Sequence, residues 1–125
     1  MTPAHLKLSH EDIQHAATEF KLNLPALQAV IHVESTGSGF WELPAYKDPV
    51  PVINFEQAYF HRLTGGRFAK SHPDLSSPML DNLYGPGEWH RLSQAIELDR
   101  AAALQSASWG LMQVMAEHWK WLEYE

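Results

Sequence analysis

Apolar positions along this chain fall mostly at helical spacing, in segments separated by short clusters of Gly, Pro and small polar residues. Ser9, His10, Glu11 and Asp12 have the pattern of a capped helix start, with Ser9 as N-cap and acids in the first turn. Ile13, Ala16, Ala17 and Phe20 continue that helix at the expected spacing, and Asn23 suits its end. Pro25 then restarts the chain at a position that favours proline. From Pro25 to Glu34 the residues are apolar on most sides (Ala26, Leu27, Ala29, Val30, Ile31, Val33), which predicts a buried central helix ended by Thr36 to Gly39.

Residues 40–49 read as an aromatic loop, and Val50 to Phe55 as a short strand that Pro51 confines to an edge or hairpin. Glu56 to Leu63 returns to helical spacing and stops at Gly65 and Gly66. Lys70 to Gly87, with Pro73, Pro78 and Pro86, predicts a surface loop. The run through Trp89, Leu92, Ile96 and Ala103 predicts a helix from Glu88 to Leu104, and Ser106 or Ser108 would cap a last helix from Trp109 to Leu122. These elements make a mostly helical α+β chain with one small β element, in a single domain over residues 1–125.

Composition narrows what such a domain can be. Hydrophobic residues are 45% and charged residues 19% of the 125, a globular balance in a chain long enough for one core. There is no Cys, hence neither a disulfide framework nor a thiolate metal site. A net charge of -6 argues against nucleic acid as a partner. The first twelve residues lack an apolar core of signal-peptide length, and no apolar run is long enough for membrane insertion. The expected product is soluble and made in the cytoplasm; action outside the cell needs another agent to carry it there.

Glu34 is the most informative polar residue. Leu27, Val30, Ile31 and Glu34 stand at i, i+3, i+4 and i+7, so the carboxyl shares a stripe with apolar side chains. Desolvation on that stripe would favour a protonated carboxyl, the group that glycosidic cleavage needs to donate to a leaving oxygen. Spacing leaves a second reading open, in which Glu34 lies in the last turn and points to solvent. Ser106 and Ser108 read as helix caps rather than nucleophiles. The eight His include no His-Glu-x-x-His pattern, and His5, His10 and His15 do not align on one helix face, so no metal or cofactor is expected.

The residues around Glu34 bring in a resemblance. Val33 to Phe40 (VESTGSGF) is similar to the catalytic signature of the N-acetylmuramidase domain of bacteriophage endolysins. Pro51 to Glu56 (PVINFE), Phe60 to Phe68 (FHRLTGGRF), His72 to Ser76 (HPDLS) and Ala101 to Gly110 (AAALQSASWG) resemble further blocks of that family, in order. Gly110 to Met115 also resembles the GLMQ motif of lytic transglycosylases.

That resemblance implies a lysozyme-like fold with peptidoglycan glycan strands as substrate, cleaved between N-acetylmuramic acid and N-acetylglucosamine. Glu34 would be the general acid and Glu56 a second carboxylate, with Ser35, Gly39, Phe40, Trp109 and Gln113 lining the sugar cleft. It implies action on the cell wall after release, with a holin, and further helices beyond Glu125. Ala58 stands where the family usually has histidine, and Ala116 where a glycine is expected. Lytic transglycosylation and non-catalytic murein binding remain alternatives, and the oligomeric state stays open.

Overall fold

The computed structural model describes residues 8–35, 39–79 and 83–118. The chain forms two units, Met1–Val52 with Gly110–Gln113, and Ile53–Trp109 with Val114–Glu125.

In the first unit, helix α1 (His10–Glu19) starts at a reciprocal cap. Ser9 Oγ accepts the Asp12 N–H, and the Asp12 carboxylate accepts the Ser9 N–H at 2.8 Å. The Ser9 backbone N–H, with the Ser9 hydroxyl adding to it, holds the Asp12 carboxyl below its usual range. The helix ends where Lys21 turns left-handed at φ 55, with the Leu22 N–H reaching back to the Ala17 carbonyl at 2.7 Å.

Helix α2 (Leu24–Ser35) starts one residue before Pro25. Asn23 does not close α1 as its sequence position suggested; its Oδ1 accepts the Ala26 N–H at 2.9 Å and caps α2. The expectation of a buried α2 is corrected too. Only Ile31 and Ser35 are buried, while Val30 and Val33 are exposed, Val33 by 77%. α2 packs on α1, which covers one stripe of a helix that is apolar nearly all round.

Strand β1 (Phe40–Trp41) pairs antiparallel with β2 (Val50–Pro51), Phe40 opposite Pro51 and Trp41 opposite Val50. The single strand expected over residues 50–55 is two strands in two different sheets. Val52 separates them; it donates to the Gly39 carbonyl at 2.9 Å and accepts the Gly110 N–H at 2.7 Å.

The second unit holds the larger core. β3 (Ile53–Phe55), β4 (Ala107–Trp109) and β5 (Val114–Met115) form an antiparallel sheet in that order, with Phe55 opposite Ala107 and Ser108 opposite Met115. Helices α3 (Gln57–Leu63), α4 (Gly87–Leu98) and α5 (Arg100–Gln105) belong to this unit. Ile53, Phe55, Phe60, Leu75, Leu92, Ala95, Ala103 and Ala107 are fully buried. Phe60 sits between Phe55 and Phe68, with ring centroids 5.6 and 5.8 Å away.

Three further expectations are corrected along residues 70–118. The helix expected over residues 88–104 is broken at Asp99, which is extended and caps α5 by accepting the Ala102 N–H at 3.0 Å. The surface loop over residues 70–87 carries Leu75 and Ser76 inward, to 0% and 1% exposure. The helix expected from Trp109 is replaced by β4, a turn, β5 and a 3-10 turn at Ala116–His118, because Gly110 and Gln113 take left-handed φ values of 76 and 52. Residues 119–122 of that expected helix lie outside the described residues. Ser106 is the C-cap of α5, donating to the Ala102 carbonyl at 2.6 Å, and Ser108 lies in β4; neither caps a following helix. Among the described residues, no helix is long and apolar enough to cross a membrane.

Candidate active site

Glu34, Ser35, Gly39, Phe40 and Gln113 fall in the first unit, Glu56 and Trp109 in the second. Glu34 stands in the last turn of α2, one residue from its end, and its side chain is exposed. Its place on the apolar stripe therefore does not bury it, because α2 itself is mostly uncovered. Ser35 is buried, and its hydroxyl donates to the Ile31 carbonyl at 2.9 Å, holding the last helical turn.

Gly39 and Gln113 are brought together through Val52, and Phe40 pairs next to it with Pro51. Gly39 presents its carbonyl to the Val52 N–H. A Cβ at Gly39 would meet Leu111 at an ordinary 3.6 Å, so the glycine is not required by contact there. Phe40 and Trp41 are half-buried in β1. Gln113 Nε2 donates to the Val52 carbonyl at 3.1 Å and to the Gly110 carbonyl at 2.7 Å. Its amide nitrogen thus braces the turn after β4, a task that the sequence did not suggest.

In the second unit Glu56 is the N-cap of α3, half-buried, with no side-chain cap bond to that helix. Its backbone N–H donates to the Ser106 carbonyl at 2.8 Å, which ties it to the strand that carries Trp109. Trp109 is half-buried, meets Trp89 edge-on at 5.9 Å, and donates from Nε1 to the Leu104 carbonyl at 3.3 Å.

Sequence reasoning missed the strongest polar cluster of this unit. Glu88, the first residue of the helix expected over 88–104, is fully buried and pairs with Arg91 at 3.0 Å. Glu88 Oε2 accepts the Phe55 N–H at 2.6 Å and Oε1 the Leu83 N–H at 3.0 Å. Arg91 Nη2 donates to Gln57 Oε1 at 2.8 Å and to the Asp74 carbonyl at 2.6 Å. The signal available was opposite charges at i and i+3, which on a helix is usually a solvated pair; burial is what sequence could not supply. A cavity of about 790 Å³ opens beside this cluster, lined by Gln57, Asp74, His90, Arg91 and Gln94 among others. His61 Nδ1 lies 3.0 Å from the Oγ of the buried Ser76, a contact that anchors the 70–79 loop. Among the described residues, no group of three or more His, Asp or Glu side chains could hold a metal ion.

Comparison with known proteins gives this geometry a context. A match to the N-acetylmuramidase family spans residues 23–125 and so takes in every candidate residue above. The chain is also similar to the crystal structure of the Burkholderia AP3 phage endolysin, at 33% identity and a TM-score of 0.77, over 98% of this chain and 47% of that one. It spans about half the length of that endolysin. No curated protein matches it.

Proposed function

The chain belongs to the N-acetylmuramidase family, and on that premise we propose that it cleaves the β-1,4 bond between N-acetylmuramic acid and N-acetylglucosamine in peptidoglycan. Residues 1–125 act as one lysozyme-like domain of the phage endolysin type, on the cell wall, after release from the cytoplasm through a holin. Glu34 protonates the glycosidic oxygen, and Glu56 orients or activates the water that completes hydrolysis. Phe40 and Trp109 offer ring faces to the sugars, and Ser35, Gly39 and Gln113 shape the backbone beside them.

The observation that carries this reading is the family match, inside which Glu34 stands in the last turn of α2 with its side chain exposed. A bound strand would expel water from around Glu34 and leave it between Val30, one turn back on the same helix face, and the sugar. The exposure of Glu34 also favours a second reading, in which the chain binds murein without cutting it.

The test is release of reducing ends from purified peptidoglycan, together with lysis of outer-membrane-permeabilised Gram-negative cells. Glu34→Gln should lower the rate by at least about 100-fold, the scale of a general acid's contribution. Equal rates for wild type and Glu34→Gln rule out the acid role. Binding to insoluble peptidoglycan with no reducing ends from either protein points to the second reading. Mass spectrometry of the products separates hydrolysis from transglycosylation, since anhydro-muramoyl ends arise when the sugar's own 6-hydroxyl replaces water.

A further inference from the structure

Three consecutive residues at the junction of β3 and α3 are each held by a different anchor, and two of the anchors form one buried ion pair. The Phe55 N–H is bound by Glu88 Oε2 at 2.6 Å, the Glu56 N–H by the Ser106 carbonyl at 2.8 Å, and Gln57 Oε1 by Arg91 Nη2 at 2.8 Å. The Arg91 guanidinium also lies over the Phe55 ring, 5.3 Å from its centroid. Gln57 is locked at its other end as well, its Nε2 donating to the Met79 carbonyl at 2.9 Å. The residues on either side of Glu56 are thus fixed by Glu88 and Arg91, whose side chains are 0% and 7% exposed.

Stability alone does not account for such a pair. Taking both charges out of water is unfavourable, and well-packed apolar replacements of buried pairs are often as stable or more so. What the pair supplies that an apolar cluster could not is direction: a carboxylate that fixes one N–H of β3 and a guanidinium fork that fixes the first side chain of α3. Glu56 lies between these two fixed points, at an N-cap position where its side chain makes no cap bond. Reacting groups must be held to a fraction of an ångström, and a misplacement of about 1 Å can lower a rate roughly 100-fold.

We propose that Glu88 and Arg91 are positioning residues for Glu56, acting through Phe55 and Gln57 to hold its backbone in place for the reaction. The inference rests on the reading of Glu56 as second carboxylate given above. It goes beyond that reading by assigning a role to a buried pair that touches no substrate.

The test uses the double variant Glu88→Gln/Arg91→Met in the full chain, with Gln57→Met as a milder second variant that leaves the ion pair whole. In the double variant the glutamine carbonyl can still accept the Phe55 N–H, and the cavity beside Arg91 admits water to the Asp74 carbonyl and Gln57 amide. A cooperative melt recorded for each variant beside its rates shows that it is folded. The expected result has two arms. Amide exchange at Glu56 quickens at least about tenfold in the double variant and less in Gln57→Met. On purified peptidoglycan, kcat falls by about 10- to 100-fold with KM within twofold of wild type. Unchanged Glu56 exchange in folded variants overturns the proposal, and so does an unchanged kcat where Glu56→Gln abolishes turnover. Failure of the underlying reading is seen separately, as Glu56→Gln turning over like wild type. The exchange arm then still decides whether the pair holds Glu56.

Discussion

Lys21 holds a backbone conformation that L residues adopt at a disadvantage of about 1–2 kcal/mol and glycine adopts freely. It does so because the two bonds that end α1, from the Lys21 and Leu22 N–H groups to the Thr18 and Ala17 carbonyls, require it. Lys21→Gly relieves the strain at the expense of a more flexible unfolded chain, and should stabilise the protein by roughly 0.5–1 kcal/mol in chemical denaturation. A loss of stability instead would mean that Lys21 does something its exposed position does not show. Glu34 makes a contrasting case at the same scale. Its motif was legible in sequence, but its surroundings were not, because a stripe of apolar neighbours becomes a desolvated pocket only when another surface covers it.

Among the elements, the break between α4 and α5 shows how one side chain divides a continuous pattern. Residues 88–104 keep a helical apolar period across Asp99, so periodicity alone predicts one helix. Asp99 prefers to accept the Ala102 N–H and to pair with Arg67, and the chain restarts there. The Ala102 N–H, with Arg67 adding to it, holds the Asp99 carboxyl below its ordinary range. Its folded pKa lies below the unfolded value of about 3.9. The associated stability is therefore fully present above that value and is lost as pH falls through the folded pKa. Asp99→Asn keeps a cap acceptor and removes the charge. It should leave α5 in place and flatten the fall in stability below about pH 4. Urea unfolding at pH 7 and pH 3 checks this, and an equally steep acid loss in the variant would count against it.

At the scale of the whole molecule, apolar burial is uneven between the two units. The second contains Phe55, Phe60, Leu75, Leu92 and the small residues Ala95, Ala103 and Ala107 at full burial. The first buries only Ala17, Ile31, Val50 and Val52 among its described hydrophobic residues, and exposes Phe20, Leu22, Val30 and Val33. Local opening follows apolar burial. Amides of α1 and α2 should exchange with deuterium at least about tenfold sooner than those of α4 and β3 under native conditions. Comparable protection of α2 and α4 would show that something covers α2 in solution. That outcome would also restore the desolvation expected at Glu34.

Sequence by itself determined the α+β class, most helix starts and the family. Each of these depends on local chemistry: capping residues, glycine and proline positions, and the order of short motifs. The tertiary structure alone decided the split of residues 50–55 between two sheets, the replacement of the last expected helix by a hairpin, and the inward turn of Leu75. It alone revealed Glu88 with Arg91 as a buried pair. Those outcomes depend on which distant backbone groups find partners. Ala107 to Trp109 form a strand because Ile53 to Phe55 lie alongside them, and the Glu88 side chain is accommodated in the core because two N–H groups and a guanidinium meet it there.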